Sequence, residues 1–261
     1  MTHIATSDAW ALPYAAPPAS PFSLAAAAEL RARPASASSV IIALVGLAFE
    51  ARIASGPGIA VICRNSERAL SASIDQAIAQ GCRGVISFGV AGGLAPHLRP
   101  GHWVVASSII DRHETRHTDR AWSEKILTMI PDAEHKPIVG VDYAVATTEE
   151  KRRMHAETGA ATVDMESHLV ARLASKHGLN FAAVRVVIDP AHRAVPGAAL
   201  AGLRPDGRTS VSGVLRELIA NPSQLSGLLR LARDGYAARR ALLRVRRLLG
   251  PDFSHLAAAA A

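Results

Sequence analysis

Val40-Ile41-Ile42-Ala43-Leu44-Val45-Gly46-Leu47 is an unbroken apolar run of strand length, rich in β-branched residues. A strand with one wet face alternates apolar and polar residues, so this run suits a strand buried on both faces. The segments downstream follow the same logic. Gly56-Pro57-Gly58 is a turn, and Ile59–Cys63 returns as a strand. Ser66–Gln80 has helical period, with Ala69, Ile74, Ala77 and Ile78 inward and Gly81 as the stop. Val85–Phe88 reads as a short buried strand, followed by a glycine-rich turn, Gly89-Val90-Ala91-Gly92-Gly93. Trp103–Ile110, Ile138–Ala146 and Phe181–Ile188 read as further strands. Asp119–Ile130, Thr148–Glu157 and Asp164–His177 read as helices, the last capped by Asp164 and stopped by Gly178. This alternation predicts an α/β fold, a single domain with a mixed central sheet flanked by helices. Ligands of such sheets bind beyond the carboxyl ends of the strands. Glu50, the glycine turn and Asp189 all fall at those ends.

The 261 residues are enough for one large α/β domain, and 49% hydrophobic with 20% charged residues marks a globular chain. Aromatics are only 4%, which argues against a single-strand nucleic-acid binder built on stacking. Cys63 and Cys82 cannot build a disulfide framework and read as free thiols of a reducing compartment. No Cys/His cluster has zinc spacing, and no metal is expected. No apolar run reaches the length of a membrane span. The N-terminus lacks a cationic start, and Asp8, Pro13, Pro17 and Pro18 interrupt any signal-peptide core. A cytoplasmic protein is therefore expected.

Composition divides the chain into three parts. Residues 1–37 are an Ala/Pro/Ser-rich leader, 38–210 the α/β domain, and 211–261 a basic helical segment. The last part has eight Arg, no Lys and three acids, so it holds +5 of the chain's +7. Leu225, Leu228, Leu229, Ala232, Tyr236 and Leu243 fall near one helical face, with Arg230, Arg233, Arg240 and Arg244 on a flank. Such a helix either lies on an anionic inner-membrane surface or covers the domain with a solvated basic side.

Three motifs carry chemistry. The glycine turn fails the G-x-G-x-x-G spacing of dinucleotide binders, which counts against a nicotinamide oxidoreductase. Alone it is compatible with a plain tight turn. Val163-Asp164-Met165-Glu166-Ser167 opens a helix with two acids; a dipole-favoured cap accounts for Asp164 but not for Met165 and Glu166. Arg185-Val186-Val187-Ile188-Asp189-Pro190 ends an apolar strand on an acid, either an Asx turn before proline or a functional carboxylate.

Taken together at these spacings, from Val40 to Arg193, the motifs resemble the purine nucleoside phosphorylase and methylthioadenosine nucleosidase superfamily. VDMESHLVARLA, RVVIDPAHRAVP and the Arg-rich C-terminus most resemble its hopanoid-biosynthesis-associated phosphorylases. The resemblance implies cleavage of the bond between a purine and ribose. Asp189 then matches the aspartate that protonates the base, Glu166 the glutamate on the ribose hydroxyls, and Met165 the methionine packed on sugar and base. Ala144 and Val145 match purine-contacting backbone, and Gly89, Ala91 and Gly92 the seat of nucleophile or ribose. Glu50, four residues after Gly46, matches the glutamate that activates water in the nucleosidases. Inorganic phosphate is the implied co-substrate of a phosphorylase, and no cofactor is needed.

There are departures. Cys63-Arg64-Asn65-Ser66 replaces a Ser-Gly-x-Gly turn, which makes Arg64 and Arg68 phosphate candidates beside the alternative of solvated helix-start arginines. Ile188 replaces the polar residue that commonly precedes the catalytic aspartate, so another group must orient Asp189. Asp111-Arg112-His113-Glu114-Thr115-Arg116-His117, in the 111–120 segment, reads as an exposed loop near the substrate mouth. The implied substrate is a lipid-linked adenosine, adenosylhopane, cleaved to adenine and a phosphoribosyl hopane. Hydrolysis of that bond, action on methylthioadenosine or S-adenosylhomocysteine, and a non-catalytic nucleoside-binding protein on the membrane are the alternatives. A homodimer is expected.

Overall fold

The computed structural model describes residues 40–63, 67–204, 207, 209–251 and 253, without the side chains of residues 40, 67–69 and 83. The leader predicted at 1–37 lies outside the described residues. β1 (Val40–Val45) is buried on both faces, as its composition predicts. Ile41, Ala43 and Val45 join one core cluster, and Ile42 and Leu44 the other. β1 runs parallel to β2 (Ile59–Cys63) and to β3 (Cys82–Gly93).

β3 is the hub. It pairs in parallel with β8 (Asn180–Asp189) along most of its length, and its last two residues pair antiparallel with β7 (Thr162–Asp164). β7 pairs with β6 (Glu134–Gly140), β6 with β4 (Trp103–Ile110), and β4 antiparallel with β8. The pairing β3-β8-β4-β6-β7 thus returns to β3 and closes a ring, with β1 and β2 as a wing. A short β5 (Thr115–His117) lies antiparallel on the end of β4.

Helices cover both faces. α2 (Glu67–Ala79) and α5 (Ser167–His177) supply Leu70, Ile74 and Val170 to one core. α1 (Ala48–Ala54), α3 (Arg120–Met129) and α8 (Leu225–Leu248) supply Ile53, Trp122, Leu242 and Val245 to the other. α4 (Thr148–Thr158) inserts Met154 into a third cluster beside Leu94 and Val163. α6 (Gly197–Ala201), α7 (Val211–Ala220) and a 3-10 turn at Pro222–Gln224 lead into α8. The described residues form one compact unit. Among the described residues, no helix is long and apolar enough to cross a membrane.

Several sequence expectations need correcting. Gly89–Gly93 is not a turn: β3 continues through it, because β8 and β7 offer ladder partners to its end. The strand placed at Ile138–Ala146 runs instead from Glu134 to Gly140. Its start pairs with Val104, and beyond Gly140 the three-residue β7 has ended. Asp164 closes β7 and is not the first residue of the helix, which starts at Ser167. It still caps, since its Oδ1 accepts from the N–H groups of Glu166 and Ser167 at 2.9 and 2.7 Å. α8 buries a different face from the one its large apolar residues suggested. Ala238, Leu242 and Val245 are fully buried, while Leu225, Leu229 and Tyr236 are exposed.

Candidate active site

β1, β3 and β8 end side by side, and their carboxyl ends open into a cavity of about 210 Å³. Glu50, Ala91, Gly92, Ala144, Val145, Met165, Glu166 and Asp189 all line it. Gly89 lies below the cavity wall. A Cβ there would stand 2.5 Å from Glu50 Oε1 and 2.7 Å from Arg185 Nη1, so only glycine lets the two charged groups approach the strand. Gly46 is constrained the same way, because its Cβ would stand 2.6 Å from Glu166 Oε1. Ala144 and Val145 reach the cavity from the loop after β6. Arg64 lies outside the described residues, as does the side chain of Arg68. The 111–117 segment folds as a turn and the short β5. Asp111 Oδ1 there accepts the N–H groups of His113 and Glu114 at 2.7 and 2.9 Å.

Glu50 is 1% exposed, on the first turn of α1. Its Oε2 accepts from Gly46 N at 2.9 Å and Leu47 N at 2.7 Å, and its Oε1 from Val90 N at 2.6 Å. Val90 N–H is thus committed to Glu50 and does not seat a nucleophile. Burial raises the Glu50 carboxyl above its usual range, opposed by the Arg185 charge and these three amides.

Arg185, on β8 and fully buried, is the electrostatic centre. Its Nε lies 2.9 Å from Asp164 Oδ2 and its Nη2 lies 3.4 Å from Glu166 Oε2. Nη2 also donates to Ser87 Oγ at 2.6 Å. Burial works against the guanidinium's charge, but Asp164, Glu166 and Glu50 outweigh it and hold Arg185 above its ordinary value. The Arg185 charge beside Asp164, Glu166 and Glu50 offsets the repulsion of carboxylates packed at one cavity.

Asp189 ends β8 with a side chain that is 13% exposed. Burial pushes its carboxyl up from the usual carboxylate range. The group that orients it is Lys151 of α4, which is fully buried. Lys151 Nζ pairs with Asp189 Oδ2 and also donates to Pro190 O at 3.2 Å and Arg193 O at 2.9 Å. All three ammonium donors are satisfied, and the lysine charge opposes the effect of burial on Asp189. Ile188 contributes nothing polar here, and the polar contact to Asp189 comes from a helix instead.

The sequence profile of the Phosphorylase superfamily matches residues 39–220. The chain belongs to that superfamily. It is an enzyme of the nucleoside phosphorylase and nucleosidase type, with the fold of that class. Among solved structures, a putative 5'-methylthioadenosine/S-adenosylhomocysteine nucleosidase from Francisella philomiragia matches with a TM-score of 0.56 and 15% identity, over 81% of this chain and 99% of that one. Futalosine hydrolase from Helicobacter pylori matches with a TM-score of 0.55 and 15% identity, over 79% and 97%. An aspartate-to-asparagine mutant of the Helicobacter pylori methylthioadenosine nucleosidase, with 5'-methylthioadenosine in its active site, matches with a TM-score of 0.54 and 16% identity, over 70% and 99%. No curated protein sequence matches the chain.

Sequence reasoning missed Lys151, and it left Arg185 and Asp164 without roles in the site. It also missed the apolar wall made by Val195, Leu200, Leu203 and Leu231. A buried arginine in mid-strand, flanked by Val184 and Val186, was the one available signal, since an unpaired charge does not survive there.

Proposed function

We propose that this superfamily member releases adenine from a lipid-linked adenosine, adenosylhopane, by phosphorolysis. The observation that carries the reading is the convergence of Glu166, Asp189 and Glu50 on one cavity whose outer wall is apolar. Glu166 accepts hydrogen bonds from the ribose hydroxyls and offsets the positive charge that grows on the sugar. Asp189 gives its proton to N7 of the base as the bond from C1' to N9 breaks, so adenine leaves neutral with the bonding electron pair. A phosphate oxygen bonds to C1', giving the phosphoribosyl lipid. Val195, Leu200, Leu203 and Leu231 suit an apolar substituent at the 5' position.

Hydrolysis of the same bond is the second reading, favoured by Glu50. This carboxylate is deep in the cavity and raised by burial, as a base that takes a proton from water needs to be. Incubation with adenosylhopane and with methylthioadenosine, each with and without phosphate, separates the readings. Phosphate-dependent adenine release from the lipid substrate supports the proposal. Phosphate-independent release supports hydrolysis, and preference for methylthioadenosine rejects the lipid substrate.

A further inference from the structure

We infer that the outer faces of α7 and α8 form a docking surface for an anionic lipid bilayer. The inference does not depend on the reaction proposed above. α8 carries seven Arg and one acid. Its inner face, Ala238, Leu242 and Val245, is spent on the core. Steps of 100° per residue put Leu225, Leu229, Tyr236, Arg233, Arg240, Arg244 and Arg247 on the opposite side. All seven are exposed. α7 adds a stripe at a spacing of four: Val211 at 67% exposure, Leu215 at 52% and Ile219 at 80%. On α8, Leu229 and Tyr236 are exposed at 63% and 62%.

The charges of this face lack carboxylate partners among the described residues, though Arg240 lies 5.9 Å from the centre of the Tyr236 ring. Among the described residues, Arg233, Arg240, Arg244 and Arg247 make no ion pair. Asp234, the one acid of α8, turns inward to Arg193. Arg240 and Arg244 are like charges one turn apart, an arrangement that weakens a helix unless an anion lies over it. Arg240, Arg244 and Arg247 also border a groove of about 620 Å³ whose other bank is the turn from Pro100 to Trp103. There Arg244 lies 5.1 Å from the centre of the Trp103 ring. Guanidinium forks match phosphodiester oxygens, and leucine or isoleucine tips beside them match the acyl boundary below the headgroups.

Two other occupants fit less well. A second copy docked by two-fold symmetry would set this arginine face against itself. A nucleic acid would satisfy the arginines but leave Val211, Leu215, Ile219 and Leu229 without an apolar partner.

The test is co-sedimentation of the full chain with vesicles of mixed phosphatidylglycerol and phosphatidylcholine, and with phosphatidylcholine alone. Binding to the anionic vesicles that weakens as salt is raised, with little binding to neutral ones, is expected. The variant R240Q/R244Q/R247Q should lose partitioning by on the order of a hundredfold, the product of three surface charges. I219D/L229D should also lose binding. Both sets of positions are exposed, so thermal midpoint and adenine release from a soluble nucleoside should stay at wild-type values. Wild-type chain left in the supernatant with anionic vesicles would overturn the inference. So would variants that still bind, tight binding to duplex DNA with no vesicle binding, or a mass in sedimentation velocity that falls in the arginine variant while vesicles are ignored.

Discussion

Replacing Lys151 with Met removes the one cation that, among the described residues, is hydrogen-bonded to Asp189, while keeping the volume of the buried stem. Three charged groups face Asp189: Lys151 from α4, Arg193 from the segment after β8, and Asp234 from α8. Arg193 and Asp234 pair with each other at 2.5 Å and largely cancel, so the lysine decides the balance against burial. Burial raises the Asp189 carboxyl and Lys151 lowers it. An opposite charge at hydrogen-bond range lowers a carboxyl by about 1–3 pH units, so its loss should raise the alkaline limb of kcat/KM by a similar amount. The sign follows because Asp189 acts while protonated in the proposed reaction, and in the variant it keeps its proton to higher pH. The plateau should fall by about 10- to 100-fold, because Asp189 loses its orienting partner and holds its proton more firmly.

The same change leaves the carbonyls of Pro190 and Arg193 without their lysine donor. Stability should fall by about 2–4 kcal/mol, moderated because Asp189 can take up a proton once the ammonium is gone. Lys151→Gln keeps an N–H donor for these carbonyls and guards against a variant that does not fold. Rates of adenine release across pH, on variants verified by thermal denaturation, are the assay. A lowered plateau with the alkaline limb unmoved in both variants would reduce Lys151 to a structural strut and refute the reasoning.

Asp189→Asn should fold and lose adenine release by at least about a hundredfold, the scale of a lost general acid; near-wild-type turnover would remove Asp189 from the chemistry. Glu166→Gln should lower kcat by about 10²–10³-fold with a smaller change in KM, because a neutral amide does not offset developing positive charge; steady-state kinetics distinguishes this from a ground-state contact, which would raise KM alone. Arg185→Met removes the buried cation beside Asp164 and Glu166, and denaturant titration should find about 3–5 kcal/mol of lost stability. Leu242→Ala, in the core face of α8, should cost about 2–5 kcal/mol by the same titration; a neutral result would mean that α8 is an appendage and not part of the domain.

The fold was legible wherever burial leaves a periodic trace. Val40–Val45 reads as a strand with two dry faces, and it is one. The end of β8 was legible too, because an acid directly after an apolar strand lies where the sheet stops and solvent begins. Other features had no local signal. α1 is seven residues long and follows Leu47, which has no side-chain cap to announce it. Lys151 sits in Thr148-Glu149-Glu150-Lys151-Arg152-Arg153, which reads as a solvated helix start; its partner is 38 residues further on. Glycines 89, 92 and 93 look like a turn because small residues are counted as conformational freedom. Here Gly89 is a steric requirement, set by Glu50 and Arg185 from two other elements.

The C-terminal helix shows the deepest reason. Its periodicity holds two apolar faces, one built of Ala238, Leu242 and Val245 and the other led by Leu225, Leu229 and Tyr236. Summed side-chain size favours the second face, yet the first is buried. α8 lies against β8 and β3, and the small Ala238 lets it pack into that core. Packing distance and not hydrophobicity selected the face. The large apolar residues were left in water beside arginines that make no ion pair among the described residues, and that is the physical ground for expecting that something outside the chain covers them.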